Sequence, residues 1–476
     1  MRKIESLKIL LTVIVILVLT LTFALIGCKP EAVVVTETVT ETVTETVTET
    51  VEVEVPAEVE EVAEEGPVTF DEPVTITVLG WHPTQEAVDR QVAAFNELYP
   101  NITVEFEIQL PEEYFVNIKA SYTSGAAPDI GQFQPGAQIS PFTQFLEPLA
   151  PIAEEKWGPD WQTKFFDSSN AQVEWSGKEY YMLPQGWTPT GIYANVRLLD
   201  EYGLGIPETL EDLLEIRDTL GPEGLATFLC GFKTDWNAMD LFFFMLDEFA
   251  PGEFYTAEQG ESSFESQGFL DAVNMWEYFF AEEVIQTGAY SLNTYMESVT
   301  QYMLGQGALV PLGSWHLPLV YLAQIEGSQM GGFAPIIFPD LNNDGIHPRP
   351  TVTMGSGFGI TKDLDEYKRE AAWVFLEFIL TGEGAQIYAD DLWQFTTSTE
   401  VTVSDSVFES AGDLAGDFAA DTQWYFDNPD AQGAREPQYA EIRQGILELL
   451  SSVATGIKTP EQALADLQAI SDATSR

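Results

Sequence analysis

Cysteine is nearly absent. Cys28 and Cys230 are the only two in 476 residues, so no disulfide framework organises the fold. Histidine is as scarce, and His82, His316 and His347 stand too far apart to make metal-ligand spacing. Basic residues are few: 20 Lys and Arg face 76 Asp and Glu, for a net charge of −56. Such a field strongly disfavours nucleic acid and anionic lipid as partners, and weakens a phosphorylated or carboxylate ligand. Neither Gly-x-Ser-x-Gly nor Gly-x-x-x-x-Gly-Lys-Ser/Thr occurs, so a hydrolase elbow and an ATP loop are both unsupported. Gly355-Ser-Gly-Phe-Gly359 lacks dinucleotide spacing. With so many acids, carboxylate pairs arise by chance and argue for no glycosidase. No catalytic residue, cofactor or metal is expected.

What is present starts at the N-terminus. Arg2, Lys3 and Lys8 precede the uncharged, mostly apolar run Ile9–Gly27. A basic start, an apolar stretch and small residues before a cut site make an export signal over residues 1–27. Leu25-Ile26-Gly27-Cys28 resembles the lipobox of surface lipoproteins, which implies cleavage before Cys28 and acylation of that cysteine. An uncleaved transmembrane anchor is the alternative, since the run approaches the ~20 residues that cross a bilayer. Either way the remainder lies outside the cytoplasm, on the extracellular face of the membrane or in a periplasm.

Thr36–Val51 repeats Thr-Glu-Thr-Val, and the Val/Glu/Ala pattern continues to Glu65. Nothing there supplies a core, and the glutamates repel one another, so residues 28–66 read as an extended stalk. The remaining ~410 residues exceed one ordinary core and fit two lobes. Eleven Trp, 17 Tyr and 30 Phe are enough to pack them and to line a cleft besides. Cys230, in the apolar run Ala226–Phe232, reads as a buried small hydrophobe.

Periodicity predicts strands at Val74–Leu79 and Ile102–Ile108 around a helix at Gln85–Leu98, then a helix at Glu113–Ser124 and a short strand at Ala127–Ile130. Tyr180–Leu183 and Gly191–Ala194 read as separate strands flanking Pro184–Thr190. Further helices are expected at Thr209–Thr219, Phe264–Phe280, Ser298–Leu304, Tyr367–Leu380, Ile442–Thr455 and Thr459–Ser471, with strands at Ala308–Pro311 and Gly357–Ile360. The alternation gives an α/β class with predominantly parallel sheets.

Several segments, in order, resemble the sugar-type solute receptors of ABC importers typified by maltose-binding protein. They are Phe95–Val104, Ser124-Gly-Ala-Ala-Pro-Asp-Ile130, Gly177–Pro184 with Ile192-Tyr-Ala-Asn195, Pro207–Leu213, Gly313-Ser-Trp315, Glu370–Phe378 with Gly382–Gln386, and Lys458–Leu464. Leu210 stands where that family has Trp, and Ala194 interrupts its Tyr-Asn pair. The resemblance implies a two-lobed, periplasmic-binding-protein-like type II fold with a hinge and an interlobe cleft. It places lobe 1 in residues 67–187 plus 355–400 and lobe 2 in residues 188–354 plus 401–476. The chain would cross near Trp187, Met354 and residue 400. It also implies a monomeric receptor that delivers a sugar or oligosaccharide to permease subunits.

A neutral sugar needs aromatic plates for its C–H faces and short polar groups for its hydroxyls. Candidates on loops after strands are Trp81, His82 and Gln85, Phe133 and Gln134, Trp187 and Thr188, and Asp235 and Trp236. The resemblance sets Trp315 against a sugar face, with His316 behind it, and brings Ser356 and Tyr439 to the cleft. Trp276, Trp373 and Trp393 read as core, and Asp129 as a structural cap. Asp340-Leu-Asn-Asn-Asp-Gly345 matches the first half of a calcium loop through Asp340, Asn342 and Asp344. Its twelfth position is Thr351 rather than Glu, which leaves an ordinary Asn-Asp-Gly turn as the other reading. Other functions stay open: the same fold with a polyamine, glycerol phosphodiester or peptide, a surface glycoside hydrolase, or an adhesion module.

Overall fold

Alternating Val74-Thr-Ile-Thr-Val78 makes a strand, β1 (Val74–Gly80), with Ile76 and Val78 buried and the threonines turned outward. The computed structural model describes residues 70–175, 179–292, 294–317, 332–348, 351–391, 395–410 and 437–475, together with residues 416 and 420. Met1–Gly66 and Pro67–Arg476 are separate units, and every described residue belongs to the second. The signal, Cys28, the stalk and Trp393 lie outside the described residues. Among the described residues no helix is long and apolar enough to cross a membrane.

α1 (Gln85–Leu98) starts where the Thr84 hydroxyl accepts the Ala87 amide, and it buries Ala87, Val88 and Phe95. β2 (Ile102–Ile108) turns Ile102, Val104 and Phe106 inward and pairs with β1 in parallel, Val74 opposite Ile102. α2 (Pro111–Ser124) ends at Gly125, whose φ of +76° is a left-handed cap. β3 (Ile130–Phe133) then joins β1 in parallel. Asp129 ties the turn before β3 to β1. Its carboxylate accepts the Thr77 amide at 2.8 Å and hydroxyl at 2.9 Å, and pairs with Lys368 at 2.9 Å.

β4 (Leu183–Asn195) corrects the expectation of two strands around a loop: thirteen residues run straight through Pro184, Gly186 and Pro189. After it come α3 (Leu210–Leu220), capped reciprocally by Thr209 and Asp212, β5 (Ala226–Phe228), α4 (Asp235–Phe249), α5 (Gln267–Ala281), α6 (Tyr295–Met303), β6 (Gly307–Gly313) and β7 (Phe333–Ile336). β8 (Thr351–Ile360), α7 (Glu366–Thr381), α8 (Glu383–Asp390), β9 (Phe395–Thr396), α9 (Ala440–Ala454) and α10 (Pro460–Ala473) complete the series.

Nine of these strands form one sheet in the order β2-β1-β3-β8-β4-β6-β5, with β7 and β9 also on β4. The sheet is mixed rather than predominantly parallel. β1 with β2, β1 with β3, and β5 with β6 are parallel, whereas β8 and β4 run antiparallel to every neighbour. The antiparallel share comes from these two long strands, which pass in opposite directions through the middle of the sheet. They join two apolar cores. One holds Ile76, Phe95, Phe133, Met354 and Phe375, and the other holds Ile192, Phe228, Met239, Trp276, Ile446 and Leu464. Trp276 and Trp373 are core, as expected, and Trp276 Nε1 donates to the Leu450 carbonyl at 3.0 Å. Cys230 is fully buried.

Candidate functional site

β1 ends at Trp81 and His82, and the segment is held by a glutamine absent from the sequence-derived set. Gln132 Oε1 accepts the amides of Trp81 (2.9 Å) and His82 (3.1 Å). Its Nε2 donates to the His82 carbonyl (2.7 Å) and to Gln185 Oε1 (2.8 Å). Ser356 Oγ donates to the same Gln185 oxygen at 2.9 Å. Three strands, β3, β4 and β8, thus contribute one side chain each to a buried amide–hydroxyl chain. Tyr388, on α8, closes it: its hydroxyl lies 3.3 Å from His82 Nε2, and burial raises its phenol above the ordinary range. Trp81 is half-buried, stacked obliquely on Tyr114 (4.9 Å) and Phe115 (5.2 Å).

A second group forms where β6 ends. Trp315 lies two residues after Gly313, and its ring folds back over that glycine so closely that a Cβ there would lie 1.9 Å from it. Trp236, at the start of α4, meets Trp315 edge-on at 5.3 Å and Tyr295 at 4.7 Å. The Tyr295 hydroxyl takes the Trp315 indole N–H at 3.4 Å and lies 3.0 Å from His316 Nε2. Burial lowers His316 to about 4, so the imidazole is neutral at neutral pH. Trp236 and Trp315 are half-buried, and His316 is buried beneath them. Gly313 pairs with Thr190 of β4. The two groups therefore hang from one strand, their anchors Gln185 and Thr190 about 17 Å apart at ~3.3 Å per residue. The described side chains of both are aromatics, amides, hydroxyls and the imidazoles of His82 and His316, the latter neutral.

The remaining expected residues lie elsewhere. Trp187, read as an exposed plate, is 3% exposed: it sits mid-strand between β8 and β9 with Phe166 across its face. Thr188 is half-buried over Gly355. Phe133 is buried against Tyr122 and Phe142. Gln85 faces solvent, donating to Asp89 at 2.9 Å and accepting the Ile108 amide at 3.3 Å. Asp235 is the first residue of α4. Tyr439 precedes α9, with its amide held by Glu258 and its hydroxyl donating to Gln259, both at 3.3 Å. Gln134, with Gln132, Phe133 and Phe115, lines a pocket of about 230 Å³ whose other wall is Ala440, Arg443 and Gln444 of α9. The Ala137 amide donates to the Pro437 carbonyl at 2.7 Å beside it.

The acidic turn at Asp340 satisfies itself. Asp340 accepts the amides of Asn342 (3.1 Å), Asn343 (2.6 Å) and Gly345 (2.8 Å). Asn343 and Gly345 both have positive φ. Glu248 of α4 accepts the amides of Leu341 (2.9 Å) and Asn342 (3.0 Å), and its carboxylate approaches those of Asp340 and Asp344 within 4.8 Å. Desolvation raises the Glu248 carboxyl to about 7 against the pull of those amides, with the Asp340 charge adding to the rise. The folded protein therefore holds a proton that the unfolded chain gives up above its ordinary value. That contribution to stability is full below the unfolded value and is lost as pH rises through about 7. Glu248→Gln keeps the acceptor and removes the titration. Its thermal midpoint is expected to fall less than wild type between about pH 5 and pH 8; parallel falls in scanning calorimetry would contradict the assignment.

Residues 81–386 match the sequence profile of a family described as bacterial extracellular solute-binding protein. An uncharacterized ABC transporter extracellular-binding protein of Pyrococcus horikoshii is 23% identical over 239 residues, 48% of this chain. The match spans 53% of that relative, about half its length. A solved chain from a study of xylan utilization by the thermophilic bacterium Caldanaerobius polysaccharolyticus has a TM-score of 0.69 at 19% identity, covering 83% of this chain and 99% of its own. A maltose/maltodextrin-binding domain from Bdellovibrio bacteriovorus bound to maltotriose has a TM-score of 0.61 at 14% identity, covering 84% and 99%. The likeness carries the fold: the two-lobed α/β architecture expected from the sequence is the one observed.

Proposed function

Because the chain belongs to the bacterial extracellular solute-binding proteins, we propose that it captures a neutral sugar or oligosaccharide outside the cell and delivers it to the permease of an ABC importer. One observation carries the reading. In a chain of 76 acids, the groups around Trp81 and Trp315 consist of aromatic plates with amide, hydroxyl and neutral imidazole partners. Aromatic faces suit the C–H faces of pyranose rings, and neutral donors and acceptors suit their hydroxyls. A polyamine would call for carboxylates there instead. Two structural relatives point the same way, one from a study of xylan utilization and one bound to maltotriose.

In this reading Trp315 and Trp236 hold one sugar face and Trp81 another. Gln134 supplies a polar contact, while Gln132, Gln185, Ser356 and Tyr388 are positioning residues. Residues 67–187 plus 355–400 act as one lobe and residues 188–354 plus 401–476 as the other. β4 and β8, which run across that division at residues 187/188 and 354/355, flex between them as the hinge. A ligand touching both lobes favours the closed form, and the permease distinguishes loaded from empty receptor by that closure. The ligand leaves chemically unchanged. Cys28 carries the lipid, and residues 28–66 tether a monomeric receptor near its permease.

A thermal-shift screen of the full chain against neutral mono- and oligosaccharides, polyamines and sugar phosphates tests the reading. A raised midpoint with at least one neutral saccharide is expected. Shifts confined to polyamines or phosphates would overturn it.

A further inference from the structure

The half-buried Trp315 indole is pinned at both of its ends. Its benzo end lies on the Gly313 backbone, where an added Cβ would come 1.9 Å from one ring carbon and 2.1 Å from the next. At its other end the ring N–H donates to the Tyr295 hydroxyl, 3.4 Å away. Tyr295 is in turn held by its backbone. It opens α6, and the Thr234 hydroxyl accepts its amide at 3.0 Å. Gly231 passes so close that a Cβ there would lie 2.6 Å from the Tyr295 Cα. The segment that runs from Gly231 through Thr234 leads into α4 and Trp236, whose ring meets Tyr295 at 4.7 Å.

The proton positions follow from the chemistry of the three groups. An indole N–H only donates, whereas a phenol has one proton and two lone pairs. The Tyr295 oxygen accepts the Trp315 proton, which leaves its own hydrogen for His316 Nε2 at 3.0 Å. His316 is buried and neutral at neutral pH, so this arrangement puts the imidazole proton on Nδ1. The hydrogen bonds then run one way, from indole to phenol to imidazole. They tie a half-buried plate to a buried anchor.

We propose that Tyr295 is a positioning residue for ligand capture: its hydroxyl, backed by His316, holds the Trp315 indole in its binding orientation before any ligand arrives. This rests on the proposed role of Trp315 as a sugar plate and adds what keeps that plate still. An aromatic ring receives a pyranose on its face, so its orientation decides whether it binds. A tryptophan able to turn about its side-chain bonds has to be ordered by the ligand, and ordering a side chain on binding weakens affinity. A ring pinned at both ends is ordered when the protein folds, which is how a binding geometry is preorganised.

The test is Tyr295→Phe, which keeps the ring that packs on Trp236 and removes only the hydroxyl. In calorimetric titrations of the full chain with neutral xylo-, chito- and malto-oligosaccharides, affinity is expected to fall about fivefold. In a Trp315→Ala background the same substitution should change affinity by less than about twofold, because the hydroxyl has no indole left to hold. A similar loss in both backgrounds would make Tyr295 a direct ligand contact and overturn the proposal. The indole N–H resonances of the unliganded protein give a readout that packing alone does not move. The Trp315 signal, assigned by its loss in Trp315→Phe, should shift upfield and exchange faster with water in Tyr295→Phe; an unchanged signal overturns the hydrogen bond. Saccharide binding that Tyr295→Phe leaves intact overturns the positioning role alone. Absence of binding by every saccharide overturns the proposed function and the positioning role with it, while the resonance still reports whether the ring is pinned.

Discussion

Trp315→Ala lowers saccharide affinity about 100-fold and leaves the fold standing. The ring is only half-buried and lies over Gly313 at the end of β6, outside both apolar cores. One face of an indole offers roughly 100 Å² to a sugar. At ~25 cal/mol/Å² that is ~2.5 kcal/mol, close to two powers of ten in the dissociation constant. Truncation also removes the contacts that Trp236 makes edge-on and Tyr295 makes through its hydroxyl to the Trp315 ring. Circular dichroism should be unchanged and the unliganded midpoint nearly so. Undiminished affinity would remove Trp315 from the site, and unfolding would make its role structural.

Gly186→Ala is expected to cost about 3 kcal/mol of stability, the upper end of overpacking penalties, and to impair binding with it. Gly186 sits in β4 between Ser356 of β8 and Thr396 of β9, so its backbone is held on both sides. A Cβ there would lie 2.0 Å from the Tyr388 hydroxyl and 2.8 Å from the ring carbon bearing it. Tyr388 is 1% exposed and cannot swing away without leaving His82. A double-mutant cycle isolates the cause. In a Tyr388→Ala background, where the obstacle is gone, the added cost of Gly186→Ala should fall to near zero. Equal costs in both backgrounds, measured by denaturant unfolding, would place the strain elsewhere.

Local signals carried the outer elements of the fold. The regular Ala87, Val88 and Phe95 spacing marked α1, and Thr459 with Pro460 marked α10. α4 went unseen because Leu241-Phe-Phe-Phe-Met-Leu246 is apolar on every side; all six are buried, so no period stands out. β4 was divided because Pro184, Gly186 and Pro189 read as a break. The irregular pairing between Met354 and Gly357 of β8 shows how the ladder accommodates that stretch.

The candidate site was legible where it is local. Trp315 and Trp236 follow strand ends, and strand-end aromatics are what the sequence offers as plates. The Gln132–Gln185 contact joins residues 53 apart, and Tyr388 reaches His82 across 306 positions, so no spacing could announce either. Gln132 was within reach: the strand-end argument that selected Phe133 and Gln134 stops one residue short of it. Trp187 went the other way, because Phe166 and β9 cover it from segments remote in sequence.

The most direct test is a titration of the full chain with a neutral oligosaccharide, followed by chromatography of the recovered ligand. Saturable binding of one ligand per chain, with the saccharide returned intact, is the predicted result. No binding to any neutral saccharide, or recovery of shortened products, would contradict the account.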